Sequence, residues 1–301
     1  MPVSNAIVSP LTAVLDELAG GNGYSQSLLP GVRFMRSTLY VPPSPIAYDP
    51  SIVIIAQGRK RGRLGNRSFE YNGRHYLVLT LPLPFECETF GSPDEPLLGL
   101  SIAVTPALVA ELVLQMDALG HAPERHPRAI DVAPIDQRFS DAALRLLNTL
   151  RSPVEARILG PQIVREIVYI VLGGPLGVNL RALAAPDSHF GQISRVIQRL
   201  HADCARPVEV SALAREAGMA VSTFHTHFKS LTAAAPLQYI KNVRLHRARL
   251  LMLEEGLSAS QAAFRVGYES ASQFSREFKR LFGQPPAAAV AQLREHAIRI
   301  A

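Results

Sequence analysis

Apolar positions change their spacing about halfway along the chain. Over residues 51–90 they come in short β-branched and aromatic runs, "SIVIIAQGRKRGRLGNRSFEYNGRHYLVLTLPLPFECETF", broken at Gly65-Asn66 and Asn72-Gly73. Both dipeptides favour tight hairpin turns, and several short strands at this spacing predict a sandwich or small barrel. Residues 97–104 predict a further strand, with Thr105-Pro106 as N-cap and first residue of the helix "ALVAELVLQMD". From about Phe139 the period becomes helical: residues 139–150 and 155–172 place apolar side chains three and four apart. "GGPLG" at 173–177 breaks that run, and another helix is predicted over 190–202.

The rear of the chain contains an internal repeat. "SALAREAGMAVSTFHTHFKSLTAAAP" (211–236) and "SQAAFRVGYESASQFSREFKRLFGQPP" (260–286) each read as a short amphipathic helix, a glycine (Gly218, Gly267) and a second helix carrying Phe-x-x-x-Phe-Lys-x-Leu. A glycine turn between two short helices suits a helix-turn-helix unit. The copies are joined by a long helical stretch, "APLQYIKNVRLHRARLLMLEEG".

The repeat also decides what His225 and His227 can do. On a helix they stand about 200° apart, so they cannot chelate one ion as residues three or four apart could. Phe224, Phe228 and Leu231, with Val221 close by, are expected to form the buried stripe of the first copy. Ser222, His225, Thr226, Lys229 and Ser230 are left toward solvent, with His227 flanking the core. In the second copy Phe274, Phe278 and Leu281 are expected inside. Ser272, Gln273, Arg276, Lys279 and Arg280 then face outward, side chains able to grip guanine, adenine or phosphate.

Charge follows the same division. Residues 1–185 hold 16 Lys+Arg against 16 Asp+Glu, while residues 186–301 hold 15 against 9, which accounts for the whole net charge of +6. A basic rear half suits a polyanionic partner. No apolar stretch reaches the ~20 residues of a membrane span, and the start, "MPVSNAIVSP", lacks a basic region followed by an apolar one. A cytoplasmic protein without a membrane partner is expected, its two cysteines, Cys87 and Cys204, reduced.

The second copy, with Ala262-Ala263, Gly267-Tyr268, Phe274, Phe278-Lys279, Phe282-Gly283 and Pro286, resembles the DNA-binding domain of the AraC/XylS family of bacterial transcription regulators. The front half, through Tyr48-Asp49-Pro50-Ser51, Gln57-Gly58-Arg59-Lys60 and residues 73–79, resembles the cupin-like N-terminal domain of one branch of that family. The resemblance implies an α+β protein. Residues 1–137 would be a cupin-like effector-sensing barrel, 138–185 a helical dimerisation or linker segment, and 186–301 an all-α domain with two helix-turn-helix units. It further implies recognition of double-stranded DNA in two successive major-groove segments. Carried over by position, the readers are Ser222, His225 and Thr226, then Ser272, Gln273 and Arg276. A small-molecule effector and a homodimer are implied too, with RNA polymerase as partner if the protein activates. The first unit departs from the family in offering small side chains and a histidine where longer polar ones are usual.

Enzymatic chemistry finds little footing. The front strands offer only His75, with Glu86 and Glu88 downstream, for a metal-dependent cupin; His121 and His126 lie in a Pro-rich loop. No phosphate loop or Gly-x-Ser-x-Gly elbow is present, so neither catalytic residue, metal nor cofactor is expected. Cys204 lacks the Pro-Cys-His context of alkyl-transfer repair. Two alternatives stay open: a cupin-type metalloenzyme with a DNA-binding appendage, and a sequence-independent architectural DNA binder. In "FECET" a strand would turn Phe85, Cys87 and Thr89 to one face and both glutamates to the other. Cys87 could then line an effector pocket or simply pack as a small hydrophobe.

Overall fold

The computed structural model describes residues 9–117 and 127–295. Helix α1 (Pro10–Leu18) precedes nine strands: β1 (Gly23–Gln26), β2 (Val32–Ser37), β3 (Val41–Tyr48), β4 (Ser51–Gln57), β5 (Arg59–Leu64), β6 (Arg67–Asn72), β7 (His75–Leu79), β8 (Leu83–Phe90) and β9 (Leu97–Ala103). Helix α2 (Pro106–Asp117) and β10 (Ile130–Pro134) follow. All pairings are antiparallel, in a six-stranded sheet β1-β2-β9-β4-β7-β10 and a four-stranded sheet β3-β8-β5-β6.

The six-stranded sheet is covered on both faces, which is why its strands read as unbroken apolar runs. Val53, Ile55, Leu77 and Leu79 point into the barrel. Their neighbours Ile52, Ile54, Tyr76 and Val78 point outward, against α1, α2 and the helices that follow. The four-stranded sheet alternates as a half-solvated sheet should: on β8, Leu83, Phe85, Cys87 and Thr89 are buried and the residues between them are not.

Gly65-Asn66 forms the two-residue hairpin loop between β5 and β6, with Gly65 at φ +59. Asn72-Gly73 does not form a hairpin. β6 pairs with β5 and β7 with β4 and β10, so the chain changes sheets there. The Asn72 side chain makes this corner, accepting from the Arg74 N–H at 3.0 Å. Thr105 caps α2 as expected, its hydroxyl accepting from Leu108 N–H at 3.3 Å.

The helices after the barrel are α3 (Gln137–Thr149), α4 (Pro153–Ile158), α5 (Gly160–Gly173) and α6 (Gly177–Arg181). The helix predicted over 155–172 is therefore two. Pro161 in the first turn of α5 has no N–H to continue α4, and Gly160 lies so close to Leu29 that an added Cβ would sit 2.9 Å from it. α3 starts at Asp136, which accepts from Phe139 N–H at 2.8 Å, and Phe139 stacks on Tyr76 of the sheet at 4.5 Å.

The rear half comprises α7 (His189–Ala202), α8 (Val210–Glu216), α9 (Val221–Thr232), α10 (Pro236–Glu254), α11 (Ala259–Arg265), α12 (Ala271–Phe282) and α13 (Pro286–Glu295). Its core is continuous with the barrel interior: Phe85 and Leu83 belong to one apolar cluster with Phe224, Tyr239 and Phe278. Across the seam, the Tyr239 hydroxyl donates to the Pro82 carbonyl, and Arg249 Nη2 donates to the Pro45 carbonyl at 2.9 Å. Among the described residues no single helix is long and apolar enough to cross a membrane.

Candidate nucleic-acid interface and ligand cavity

The two helix-turn-helix units match element for element. α8 and α11 are each 7 residues, α9 and α12 each 12. Their turn glycines take positive φ, Gly218 at +65 and Gly267 at +85. Phe224 and Phe228 are fully buried with rings 5.3 Å apart, as are Phe274 and Phe278 at 5.5 Å. Arg244 on α10 braces the second unit, its guanidinium donating to the carbonyls of Cys204, Ala205, Arg206 and Gly267.

The buried stripe differs from the expected one at its ends. Val221, the first residue of α9, is 46% exposed. Leu231 and Leu281 are half-buried. In the first unit the stripe runs Phe224, Phe228, Thr232; the Thr232 hydroxyl is satisfied by the Phe228 carbonyl at 2.8 Å. His227 flanks the core as expected, half-buried with its ring 4.2 Å from that of His189.

Ser222, His225, Thr226 and Lys229 are exposed on α9, and Ser272, Gln273, Arg276, Lys279 and Arg280 on α12. Thr226 already donates its hydroxyl to the Ser222 carbonyl at 3.1 Å, which leaves it free only to accept. On α12, Ser270 caps the first turn by accepting from Gln273 N–H at 3.3 Å. Gln273 Nε2 also donates to Glu277, whose carboxylate further receives Lys241 Nζ at 2.9 Å and the Tyr268 hydroxyl at 2.8 Å. Burial pushes the Glu277 carboxyl up, but these three hydrogen bonds outweigh it and hold the group below its usual range. Glu277 therefore stays ionised and steadies Gln273. Arg280 shares a face with Gln273 but lies about two turns further along, at the wall of a cavity.

That cavity, of about 660 Å³, lies between β3, β5 and β8 of the barrel and the end of α12 with α13. Cys87 is on its wall, facing inward as expected, with its sulfur 3.7 Å from the Tyr71 hydroxyl. Glu86 and Glu88 point the other way, to Arg63 and Arg61. Burial pushes the hydroxyls of Tyr48 and Tyr71 well up. Two residues not foreseen also face the cavity. Lys60 is 5% exposed, its ammonium donating to the Tyr48 hydroxyl at 2.9 Å. Arg249 is 6% exposed, its guanidinium 4.2 Å above the Phe282 ring; burial lowers it to about 10, so it remains a cation at neutral pH. A signal for Lys60 existed in "RKRGRL", where strand alternation sends Arg59, Arg61 and Arg63 outward and Lys60 in.

Among the described residues no three His, Cys, Asp or Glu side chains converge as metal ligands. His75 bonds Asn72 Oδ1 at 3.2 Å; His121 and His126 lie outside the described residues. Cys204 is buried, which raises its thiol, and its carbonyl receives Arg244.

Two family models match the chain. The AraC-type transcriptional regulator N-terminus family matches residues 28–179, and a helix-turn-helix domain family matches 213–292. The regulator AlkR of Acinetobacter baylyi is 37% identical over 107 residues, 36% of this chain and 33% of that one. The activator RhaS of Escherichia fergusonii is 27% identical over 174 residues, 58% and 60% of the two chains. The chain thus matches between a third and three fifths of these relatives' length. Apo ToxT of Vibrio cholerae shares the fold, with a TM-score of 0.61 at 14% identity over 89% of this chain and all of that one. ToxT bound to an unsaturated fatty acid superposes with a TM-score of 0.55 at 13% identity, over 90% and 97%. With about half of its length matched by the N-terminal family and a paired helix-turn-helix domain behind it, the chain belongs to the AraC-type transcriptional regulators.

Proposed function

We propose that this chain is an effector-responsive transcriptional regulator that reads two successive major-groove segments of DNA with α9 and α12. The observation that carries the reading is the pair of equal-length helices, each pinned from behind by two buried phenylalanines and each presenting a polar, cationic outer face. Gln273 and Arg276 would contact base edges, with His225, Thr226, Ser222 and Ser272 as shorter-range readers. Lys229, Lys279 and Arg280 would hold phosphates. The two segments would be about one helical turn apart, ~10–10.5 bp.

The cavity beside Cys87 and Lys60 is the proposed effector site, in keeping with the small molecules that ToxT structures contain. A homodimer would form through exposed apolar side chains of α4 and its junction, Val154, Ile158 and Leu159. Such a protein works in the cytoplasm, contacts RNA polymerase if it activates, and needs no catalytic residue or cofactor. Selection of fragments from random duplex DNA at fixed salt, followed by footprinting, tests the reading. Two protected patches on one face of a shared sequence are expected. Equal affinity for unrelated duplexes would replace it with an architectural role.

A further inference from the structure

The wall of the cavity is mostly apolar, with Met35, Ile46 and Leu97 on the barrel side and Leu281, Phe282 and Ala289 on the helical side. Into this apolar space face two cations, each more than nine-tenths buried, and among the described residues nothing negative answers them. Lys60 has three ammonium protons to donate. It donates to the Tyr48 hydroxyl, and the rings of Tyr48 and Tyr24 lie 5.5 and 5.7 Å from its nitrogen. Arg249 uses Nη2 on the Pro45 carbonyl, while its buried Nε has no partner. Among the described residues no carboxylate pairs with either. Glu86 is the single acidic residue among those described that borders the cavity, and its carboxylate turns away from it to Arg63.

A buried charge without a counter-charge is costly, and folded proteins almost always pair it. Here the neighbouring arginines of β5 are paired: Arg59 with Glu70, Arg61 with Glu70 and Glu88, Arg63 with Glu86. Lys60, turned inward between them, is left for something that enters. We propose that the cavity binds an amphipathic carboxylic acid, its carboxylate received by Lys60 and the Tyr48 hydroxyl and its apolar body lying along Met35, Ile46 and Leu281. This rests on the effector reading above and gives it a chemical class. A sugar would need many dispersed donors and acceptors instead of one unpaired ammonium in an apolar wall. A phosphate diester or nucleotide would need several donors converging on each phosphate. The volume lies within the range of sites for drug-sized molecules, ~300–1,000 Å³. Because the walls come from the barrel and from the end of α12, the bound acid touches the recognition helix directly. Arg249, on the helical side, adds a second positive wall to the same space.

The test titrates the full-length protein, stripped of co-purified lipid, with octanoate, laurate and oleate and with the matched alcohols octanol, dodecanol and oleyl alcohol. One molecule of at least one acid should bind per chain, about tenfold or more tighter than its alcohol. Lys60→Met should abolish that preference and leave alcohol binding unchanged, and Lys60→Arg should retain it. Failure of all three acids, equal binding of acid and alcohol, or a preference that survives Lys60→Met would overturn the assignment. The wild-type comparison decides the matter alone if Lys60→Met does not fold. Binding to the selected DNA sequence, followed in the same preparations, separates this assignment from the one it rests on. Specific DNA binding without acid preference removes the acid and leaves the regulator. Acid preference without specific DNA, with or without acid present, removes the regulator and leaves the site.

Discussion

Replacing each turn glycine by alanine should separate the two helix-turn-helix units. At both positions φ is positive, +65 at Gly218 and +85 at Gly267, and an L-residue there costs about 1–2 kcal/mol. Around Gly218 nothing lies within 4 Å of where a Cβ would be, so Gly218→Ala should cost that and little more. At Gly267 the new Cβ would stand 2.3 Å from the Ala205 carbonyl oxygen. That oxygen is backbone, held in place by Arg244 Nη2 at 3.3 Å, and cannot swing aside as a side chain would. Displacing it adds about 1–3 kcal/mol of overpacking, which brings Gly267→Ala to roughly 2–5 kcal/mol. In a chain of this size ~1 kcal/mol moves the melting temperature by roughly 2–4 °C. Calorimetry or helical circular dichroism should therefore show a small drop for Gly218→Ala and a clearly larger one for Gly267→Ala. Equal losses, or a larger loss at Gly218, would refute the tight approach of the second turn to the α7–α8 connection.

Arg276→Ala should cost ~1–3 kcal/mol of specific DNA binding and relax discrimination at one base pair, measured by titrating single-base variants of the selected site. Lys279→Ala should weaken all sequences alike and flatten the salt dependence of binding. Phe278→Ala empties a fully buried position between Phe274 and Phe282 and should destabilise the second unit by ~3–5 kcal/mol in urea unfolding. Burial lowers His201 from 6.5 to about 4, against weaker opposing pulls from Asp49 and the Pro82 backbone. The unfolded chain therefore takes up this proton first. Stability should fall as pH drops from 6.5 toward 4, by up to about 3 kcal/mol. His201→Asn should remove that share of the fall in pH-dependent thermal denaturation and leave the share of His246, which burial and the neighbouring Arg249 also hold below its usual value.

The repeat, the glycine turns and the exposed faces of α9 and α12 were legible because helical periodicity and a duplicated pattern both constrain them. So was the inward turn of Cys87, from alternation along β8. The misses have local causes. β3 carries three prolines in "VPPSPIAY" and does not read as a strand; it survives as the outer strand of its sheet, where missing N–H groups go unused. The split between α4 and α5 was written in Gly160-Pro161, but a strong apolar period masked it. Arg249 and His246 belong to α10, which is buried on many sides, so no polar stripe marks which of its residues meet the barrel. Lys60 was missed because a basic run reads as a solvated strand unless its alternation is followed residue by residue.

The shared core of barrel and helical domain bears on how such chains can be recombined. Tyr239 and Arg249 of α10 are anchored on carbonyls at Pro82 and Pro45, and the tip of the β5–β6 hairpin at Gly65 meets Ala233 at the end of α9, where an added Cβ would come within 2.8 Å. A helical domain cut out near residue 186 and fused to a foreign sensor would carry that apolar, half-bonded face uncovered. Shuffling between homologues should therefore succeed when the crossover keeps Pro45 and Pro82 with the α10, and Gly65 with the α9, that pack against them, and give aggregating hybrids when it parts them.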